Sequence, residues 1–370
     1  MRTKLFKKVI TLALSSIILL SSMAYAAVGQ PYDRLSMSFT GNRYIYSNNP
    51  EKITTTLIAG TTGKNIVNRT VTPGQKYDVE YSHTNMTTIP LTVAVILKNN
   101  TNVKANIAIY NNAAYQNEAY DVVGSKTEFD YWSIAKYSTK TIDPGKSCVL
   151  IRSNLNAADY STGVGKVLFQ SDVAVNCRVA YFKTGTSDDA AGNLSDLTAG
   201  DTVSTTTNEC LNDGRTIIYD YASAINKAFY LNMDVAYTDS TGKVLDPHNK
   251  YNANEFQKPV WYLPSSREYS QGNWGINYNM RLDNAGGKTL YIIPDWTNIK
   301  YLGSNSYTIY DPYTSSWKNI KLYKSSLDYA VIKLPNKSSM IFNFVLAGGD
   351  CGQEYFTFTA PTTGHAVPVN

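Results

Sequence analysis

The chain has 370 residues, with 34 Lys and Arg against 29 Asp and Glu, for a formal net charge of +5. Arg2, Lys4, Lys7 and Lys8 supply most of that excess, so the rest lacks the bulk field that draws nucleic acid or anionic membranes. Only 17% of residues are charged while 29 are Tyr, a composition suited to short strands and polar turns.

The N-terminus comes first. A positive n-region precedes the apolar run Val9 to Leu20, and Ala24-Tyr25-Ala26 has the small-x-small form of a signal peptidase site. Residues 1–26 therefore read as a cleaved signal peptide, with an uncleaved anchor as the alternative. The apolar run is short for a span, no second long one follows, and the mature chain is expected to carry no transmembrane segment. No Cys follows the run, so a lipid anchor is not indicated. Residues 362–370 read as a flexible tail without a hydrophobic end. Secretion into the medium and loose retention at a wall both stay open.

Arg34 to Tyr46 reads as two short strands around the Gly41-Asn42 turn, and Tyr77 to Tyr81 alternates cleanly. Val93 to Tyr110 reads as a hairpin with a polar turn at Asn99 to Asn102. Asn111 to Thr127 is polar and reads as a long loop or a single helical turn. Trp132 to Thr139 and Cys148 to Arg152 are strands flanking the turn Ile142-Asp143-Pro144-Gly145. Val167 to Asp172 and Val175 to Phe182 make a further hairpin.

Residues 184–209 change character: Gly, Ser, Thr, Asp and Ala dominate, and the segment reads as a linker or long surface loop. Beyond it come strands at Ile217 to Tyr221 and Tyr230 to Thr238, then a turn at Asp239 to Gly242. Tyr307 to Tyr310 pairs with Trp317 to Tyr323 across Asp311 to Thr314, and strands at Met340 to Leu346 and Glu354 to Thr359 follow. Helical period is scarce, and Tyr219 to Tyr230 is the segment that best fits a short helix.

Ile276 to Ile293 echoes Val93 to Tyr110, with Leu282-Asp283-Asn284-Ala285 standing for Leu97-Lys98-Asn99-Asn100. Leu334 to Ser338 echoes Ile142 to Lys146 at nearly the same separation. Duplication explains both. The expected fold is all-β: two tandem β-sandwich domains, Ig-like or jelly-roll-like, at 27–183 and 210–361.

Cys148, Cys177, Cys210 and Cys351 are even in number in a chain read as exported, and four cysteines allow three pairings. Cys148 with Cys177 and Cys210 with Cys351 would staple one domain each; four reduced thiols are the alternative. No C-x-x-C or His/Cys cluster suggests a metal, and no cofactor is expected.

Chemistry is otherwise marked by absences. His83, His248 and His365 lie far apart, and serine-triad, zincin and cysteine-protease signatures are missing. His83 reads first as a satisfied structural histidine. Glu128 and Asp130 could approach each other as a glycosidase pair would, although loop solvation is the commoner reading. Asp188-Asp189 and Asp283-Asn284 could touch calcium, but no D-x-D-x-D-G loop is present. Trp261, Tyr262, Trp274, Trp296, Tyr310, Tyr313 and Trp317 crowd the second half, and rings at a sandwich rim can stack on sugars. Ordinary packing is the competing explanation.

At Arg34 to Glu51 (RLSMSFTGNRYIYSNNPE) and Gly272 to Tyr278 (GNWGINY) the sequence resembles uncharacterised exported proteins of Gram-positive spore-forming bacteria. Some of these are labelled copper amine oxidase-like because of an attached stalk domain. The resemblance implies a surface location. Oxidase chemistry would need an Asn-Tyr-Asp/Glu motif and a His-x-His pair; here Asn277-Tyr278 is followed by Asn279, and no His-x-His exists.

The sequence reading is thus a non-catalytic secreted or cell-surface structural or adhesive protein. Its expected partners are cell-wall or extracellular polysaccharide, or a surface protein. The alternatives are a pair of carbohydrate-binding modules using the aromatics of the second domain, and a hydrolase with an unrecognised carboxylate pair.

Overall fold

Strands that alternate Val, Ile and Tyr with polar residues must bury one face, and here they do so by pairing sheets. The computed structural model describes residues 30–157, 160–200, 205–231, 252, 254–268, 273–296, 303–348 and 353–370. The signal-peptide reading, Cys351, His248 and the turn at 239–242 lie outside the described residues.

The first part of the chain runs β1 (Met37–Thr40), β2 (Arg43–Ser47), β3 (Lys52–Ile53), α1 (Thr55–Ile58), β4 (Gly63–Thr70), β5 (Lys76–Asn85) and β6 (Leu91–Lys98). Next come β7 (Ala105–Glu118), α2 (Tyr120–Ser133), β8 (Ser138–Ile142), β9 (Ser147–Leu155), β10 (Ser161–Ser171), β11 (Asn176–Lys183) and α3 (Asp188–Ala191). The second part holds β12 (Thr207–Cys210), β13 (Gly214–Asp220), β14 (Ala228–Leu231), β15 (Trp261–Tyr262), β16 (Asn277–Asp283) and β17 (Thr289–Pro294). It closes with β18 (Ser304–Asp311), β19 (Ser316–Tyr323), β20 (Tyr329–Lys333), β21 (Ser339–Leu346), β22 (Glu354–Thr357) and β23 (Ala366–Pro368).

Four sheets make two sandwiches. The first packs the sheet β15-β12-β2-β5-β10-β7-β8 against β4-β11-β6-β9, around a core that includes Val79, Tyr81, Val93, Val95, Leu97 and Phe169. The second packs β1-β13-β16-β21-β18-β19 against β14-β22-β17-β20-β23, around Tyr278, Met280, Ile292, Phe344 and Phe356. The all-β sandwich expectation holds. Sheet membership does not follow chain order, however. Strand β1 pairs with β13 in the second sandwich, while β12 and β15 extend the first.

The internal echo is visible in the pairing. Strands β5-β10-β7-β8 of the first unit correspond to β14-β22-β17-β20 of the second, and the pair β6-β9 corresponds to β16-β21, every one antiparallel. The Asn99 amide donates to Lys146 O at 2.9 Å, and the Asn284 amide donates to Ser338 O at 2.7 Å. These are the residues that the two sequence echoes align. Between β7 and β8 the first unit inserts α2; between β17 and β20 the second inserts the hairpin β18-β19, and the two insertions pack on each other.

Several expectations are corrected. Val93 to Tyr110 is not a hairpin: β6 pairs with β9 and β11, β7 pairs with β8 and β10, and the Asn99 turn carries the chain from one sheet to the other. Strands β10 and β11 likewise lie in different sheets. Tyr219 to Tyr230 is not helical but spans the end of β13 and the start of β14. The segment that reads as a loop leading into a strand at Trp132 holds α2, whose buried residues include Gly124, Ser125, Thr127 and Glu128. Val123 and Tyr131 are buried too, but two apolar side chains among polar ones and a glycine are too few to make the stripe that a periodicity argument finds.

The Gly/Ser/Thr-rich stretch is also more than a tether. Ala191 and Leu194 pack on Ala94, Ile96, Val149, Ala180 and Phe182, covering the outer face of the sheet that holds β6. That explains why β6 is apolar on both faces. Cys148, Cys177 and Cys210 are free thiols. Cys148 and Cys177 both sit beside Leu97, one on each side of β6. Two strand spacings, roughly 9.5 Å, separate them, beyond the roughly 7 Å that a disulfide tolerates between Cα atoms.

Candidate functional site

The alternation of β5 sends Tyr77, Val79 and Tyr81 into the first core and Asp78, Glu80 and Ser82 to the opposite face. Register then decides what meets them. Lys166 of β10 stands directly opposite Glu80, and Tyr44 and Tyr46 of β2 stand beside Asp78 and Glu80 in parallel pairing. Read alone, this is a solvent face. In the structure α2 lies across it, and two glycine turns of the second unit close over the rest.

Lys166, Asp78, Glu80 and Glu128 are all 0% exposed. The Lys166 Nζ donates to Gly275 O at 2.6 Å and lies 3.2 Å from Glu80 Oε2, 3.3 Å from Glu128 Oε2 and 3.7 Å from Asp78 Oδ2. The rings of Tyr131, Trp132 and Tyr44 surround it at 5.0, 5.5 and 5.6 Å. Trp132 Nε1 donates to Glu128 Oε2 at 3.0 Å, and the Tyr44 hydroxyl sits 2.8 Å from Glu80 Oε2 and 2.9 Å from Trp274 O. The Asp78 oxygens make no hydrogen bond of full geometry; the Tyr131 hydroxyl faces this carboxyl and only partly offsets the effect of its burial.

Two glycines make the close approach possible. Gly275 has φ +68, and a Cβ there would lie 2.7 Å from Lys166 Nζ. A Cβ on Gly348 would lie 3.3 Å from Glu80 Oε1, and Gly124 of α2 packs directly on the Gly348 carbonyl. Further along α2, Ser125 and Asn319 exchange hydrogen bonds, and Asp121 holds Lys321 at 2.8 Å.

Three ionised carboxylates around one ammonium would bury two uncompensated charges, at a cost of several kcal/mol each. The site resolves this by protonation. Burial pushes Asp78 up to about 8 against the pull of Lys166, and it raises Glu128 well above the usual carboxylate range. Burial opposes the charge on Lys166, but Asp78, Glu128 and Glu80 outweigh it and hold the amine protonated.

His83 is likewise 0% exposed, with Nδ1 2.6 Å from Pro50 O and Nε2 3.0 Å from Ser47 Oγ. Burial lowers its pKa to about 4, so the ring is neutral, donating to Pro50 and accepting from Ser47. It is a satisfied structural histidine. Glu128 and Asp130 do not form a pair: Glu128 points into the buried cluster, while Asp130 accepts from the Tyr115 hydroxyl. Residues two apart on a helix face different ways. Among the described residues, no group of three His, Cys, Asp or Glu side chains is placed to hold a metal ion.

The aromatics singled out in the sequence occupy several separate places. Trp296 is buried in the second core and donates to Asp328 O. Trp261 packs against the first core under Arg69, beside Tyr262, which is 43% exposed on the edge strand. Trp274 stacks on Tyr46 at 6.1 Å between the units. Tyr310 and Trp317 join Trp132 in a cluster at the seam of α2 with β18-β19, with centroids 5.5 and 5.4 Å apart. Tyr313 is 62% exposed in the turn that follows β18.

A different aromatic surface lies on the first unit. Tyr137, 66% exposed, meets Tyr110 edge-on at 5.8 Å and walls a groove of about 540 Å³ with Asn106, Thr139, Gln170 and Asp172. Sequence reasoning missed both this groove and the buried cluster. The only available signal was the pair of charges at alternate positions of β5, which looks the same whether the face is wet or covered. Among the described residues no helix is long and apolar enough to cross a membrane. No protein-family model matches the chain, and no curated protein matches it in sequence.

Proposed function

We propose that the protein is a non-catalytic structural or adhesive component, exported and working at or outside the cell surface. The observation that carries this reading is the sealed cluster. Among the described residues, Lys166, Asp78, Glu80 and Glu128 gather at 0% exposure, out of reach of a substrate, and they fasten β5, β10, α2 and the glycine turns of the second unit to one another. A hydrolytic carboxylate pair must touch its substrate from a cleft; these carboxylates serve cohesion instead. Export rests on the basic and apolar leader with its small-x-small site.

The test has two arms. Fractionation of cells followed by N-terminal sequencing should recover the chain from the medium or the wall, beginning near Ala27. Incubation with polysaccharide and peptide panels should release no product. Recovery from the cytoplasm with an intact leader, or turnover of any panel member, would overturn the reading.

A second reading, polysaccharide contact, is favoured by the Tyr137 groove. An exposed ring beside amide and carboxylate side chains is the combination that sugar recognition uses. Retention on insoluble wall polysaccharide that Tyr137→Ala abolishes would support it.

A further inference from the structure

Lys166 has one feature that an ordinary buried ion pair lacks. Its amine lies among three carboxyl groups in a site of zero exposure, walled by aromatic rings, and one of those carboxyls is held by no well-formed hydrogen bond. We infer that Lys166 Nζ condenses with the side-chain carboxyl of Asp78 to form an amide cross-link between the neighbouring strands β10 and β5. The inference rests on the chemistry of the cluster and is independent of where the protein works.

The roles follow from the contacts. Glu80 Oε2 is engaged by Tyr44 and lies 3.2 Å from the amine, which positions it to accept a proton; Glu128 Oε2, held by Trp132 at 3.3 Å from the amine, is in the acid form and can only pass a proton on as it takes one up. Asp78, with Oδ2 at 3.7 Å and no such hydrogen bond, is the carboxyl left to be attacked. Burial keeps it in the acid form, the form whose hydroxyl can depart as water.

The step balances without an oxidant or a co-reactant. The Lys166 ammonium passes one proton to the Glu80 carboxylate. The amine lone pair then attacks Asp78 Cγ, and the new C–N bond gives a tetrahedral centre. The nitrogen gives up a second proton, with Glu80 or Glu128 as the relay, the Asp78 hydroxyl takes up a proton, and the C–O bond breaks to release water. The amide N–H keeps one proton of the original ammonium, and one proton stays on the glutamate. Charge is zero before and after.

Two physical effects favour the product. Amide hydrolysis in water is driven largely by hydration of the ammonium and carboxylate it releases, and a site without exposure withholds that hydration. Holding amine and carboxyl together is worth an effective concentration of about 10⁵–10⁸ M where the approach is well aligned. The rings around Nζ also exclude the water that would reverse the reaction.

Intact-mass measurement of the purified full chain, under denaturing conditions, tests this directly. The expected mass is one water below that of the sequence, after N-terminal processing is located by sequencing. Trypsin should fail to cut after Lys166, and tandem spectra should show a branched peptide joining Lys166 to Asp78. Lys166→Arg and Asp78→Ala should restore the full mass, and Glu80→Gln should slow the loss of water. A wild-type chain of full mass, with Lys166 cleaved normally by trypsin, overturns the inference whether or not the variants fold. A branched peptide ending on Glu80 or Glu128 overturns the choice of Asp78.

Discussion

Gly124 sits in the middle of α2 with its Cα against the Gly348 carbonyl, and Gly348 in turn faces Glu80. Replacing Gly124 by Ala should favour the helix itself by about 1 kcal/mol. The added Cβ would fall well inside the contact limit of the Gly348 oxygen, a backbone atom with no rotamer by which to escape. Overpacking of this kind costs roughly 1–3 kcal/mol, and lifting the helix also admits water to a cluster that depends on its exclusion. Because the obstructing atom is backbone, the upper end of that cost applies, and the expected outcome for Gly124→Ala is a net loss of about 2 kcal/mol, roughly 3 of overpacking less roughly 1 of propensity. Urea unfolding followed by tryptophan fluorescence reads it, because Trp132, Trp274 and Trp317 all lie near this seam. Gly303→Ala is the control: a Cβ there meets nothing within 4 Å, so stability should hold or rise slightly. If Gly124→Ala proves as stable as wild type or more so, α2 does not press on the second unit as described, and the sealed site loses its lid.

Three further outcomes are expected. His83 has a folded pKa of about 4, below its unfolded value near 6.5, so its contribution is complete above pH 6.5 and is lost as pH falls toward 4, about 3 kcal/mol in total. Buried Asp78 and Glu128, if free to titrate, work in the opposite direction. The difference between wild type and His83→Gln isolates the histidine, and parallel pH profiles for the two would refute its assignment as buried and neutral. Maleimide should label half-exposed Cys148 in the native protein and reach Cys177 and Cys210 only on unfolding, since burial hides both and raises their pKa values. A disulfide-linked Cys148–Cys177 peptide from unreduced protein would contradict the strand register. Tyr137→Ala should leave the unfolding free energy from urea titration within about 0.5 kcal/mol of wild type, as substitution of an exposed side chain does, and any effect should appear in polysaccharide retention instead.

The sequence by itself determined the strand content, most turn positions and the internal repeat. These are local properties. Alternation at β5, Asn at 99 and 284, and the Asp311 turn of β18-β19 are each written within a few residues, and the structure places the repeated asparagines in matching hydrogen bonds. Which strands pair, and what lies over each face, had to come from the tertiary structure. Period two says that Asp78 and Glu80 share a face, but not that α2 and two distant glycine turns cover it. The helix escaped notice for the same reason: the surface it buries is largely polar, with only Val123 and Tyr131 apolar among Gly124, Ser125, Thr127 and Glu128, and its match is Lys166, Glu80 and the second unit rather than an apolar core. Hydrophobic pattern reports burial only where burial is apolar; a face closed by paired charges and glycine contacts becomes legible only when the partners are seen together.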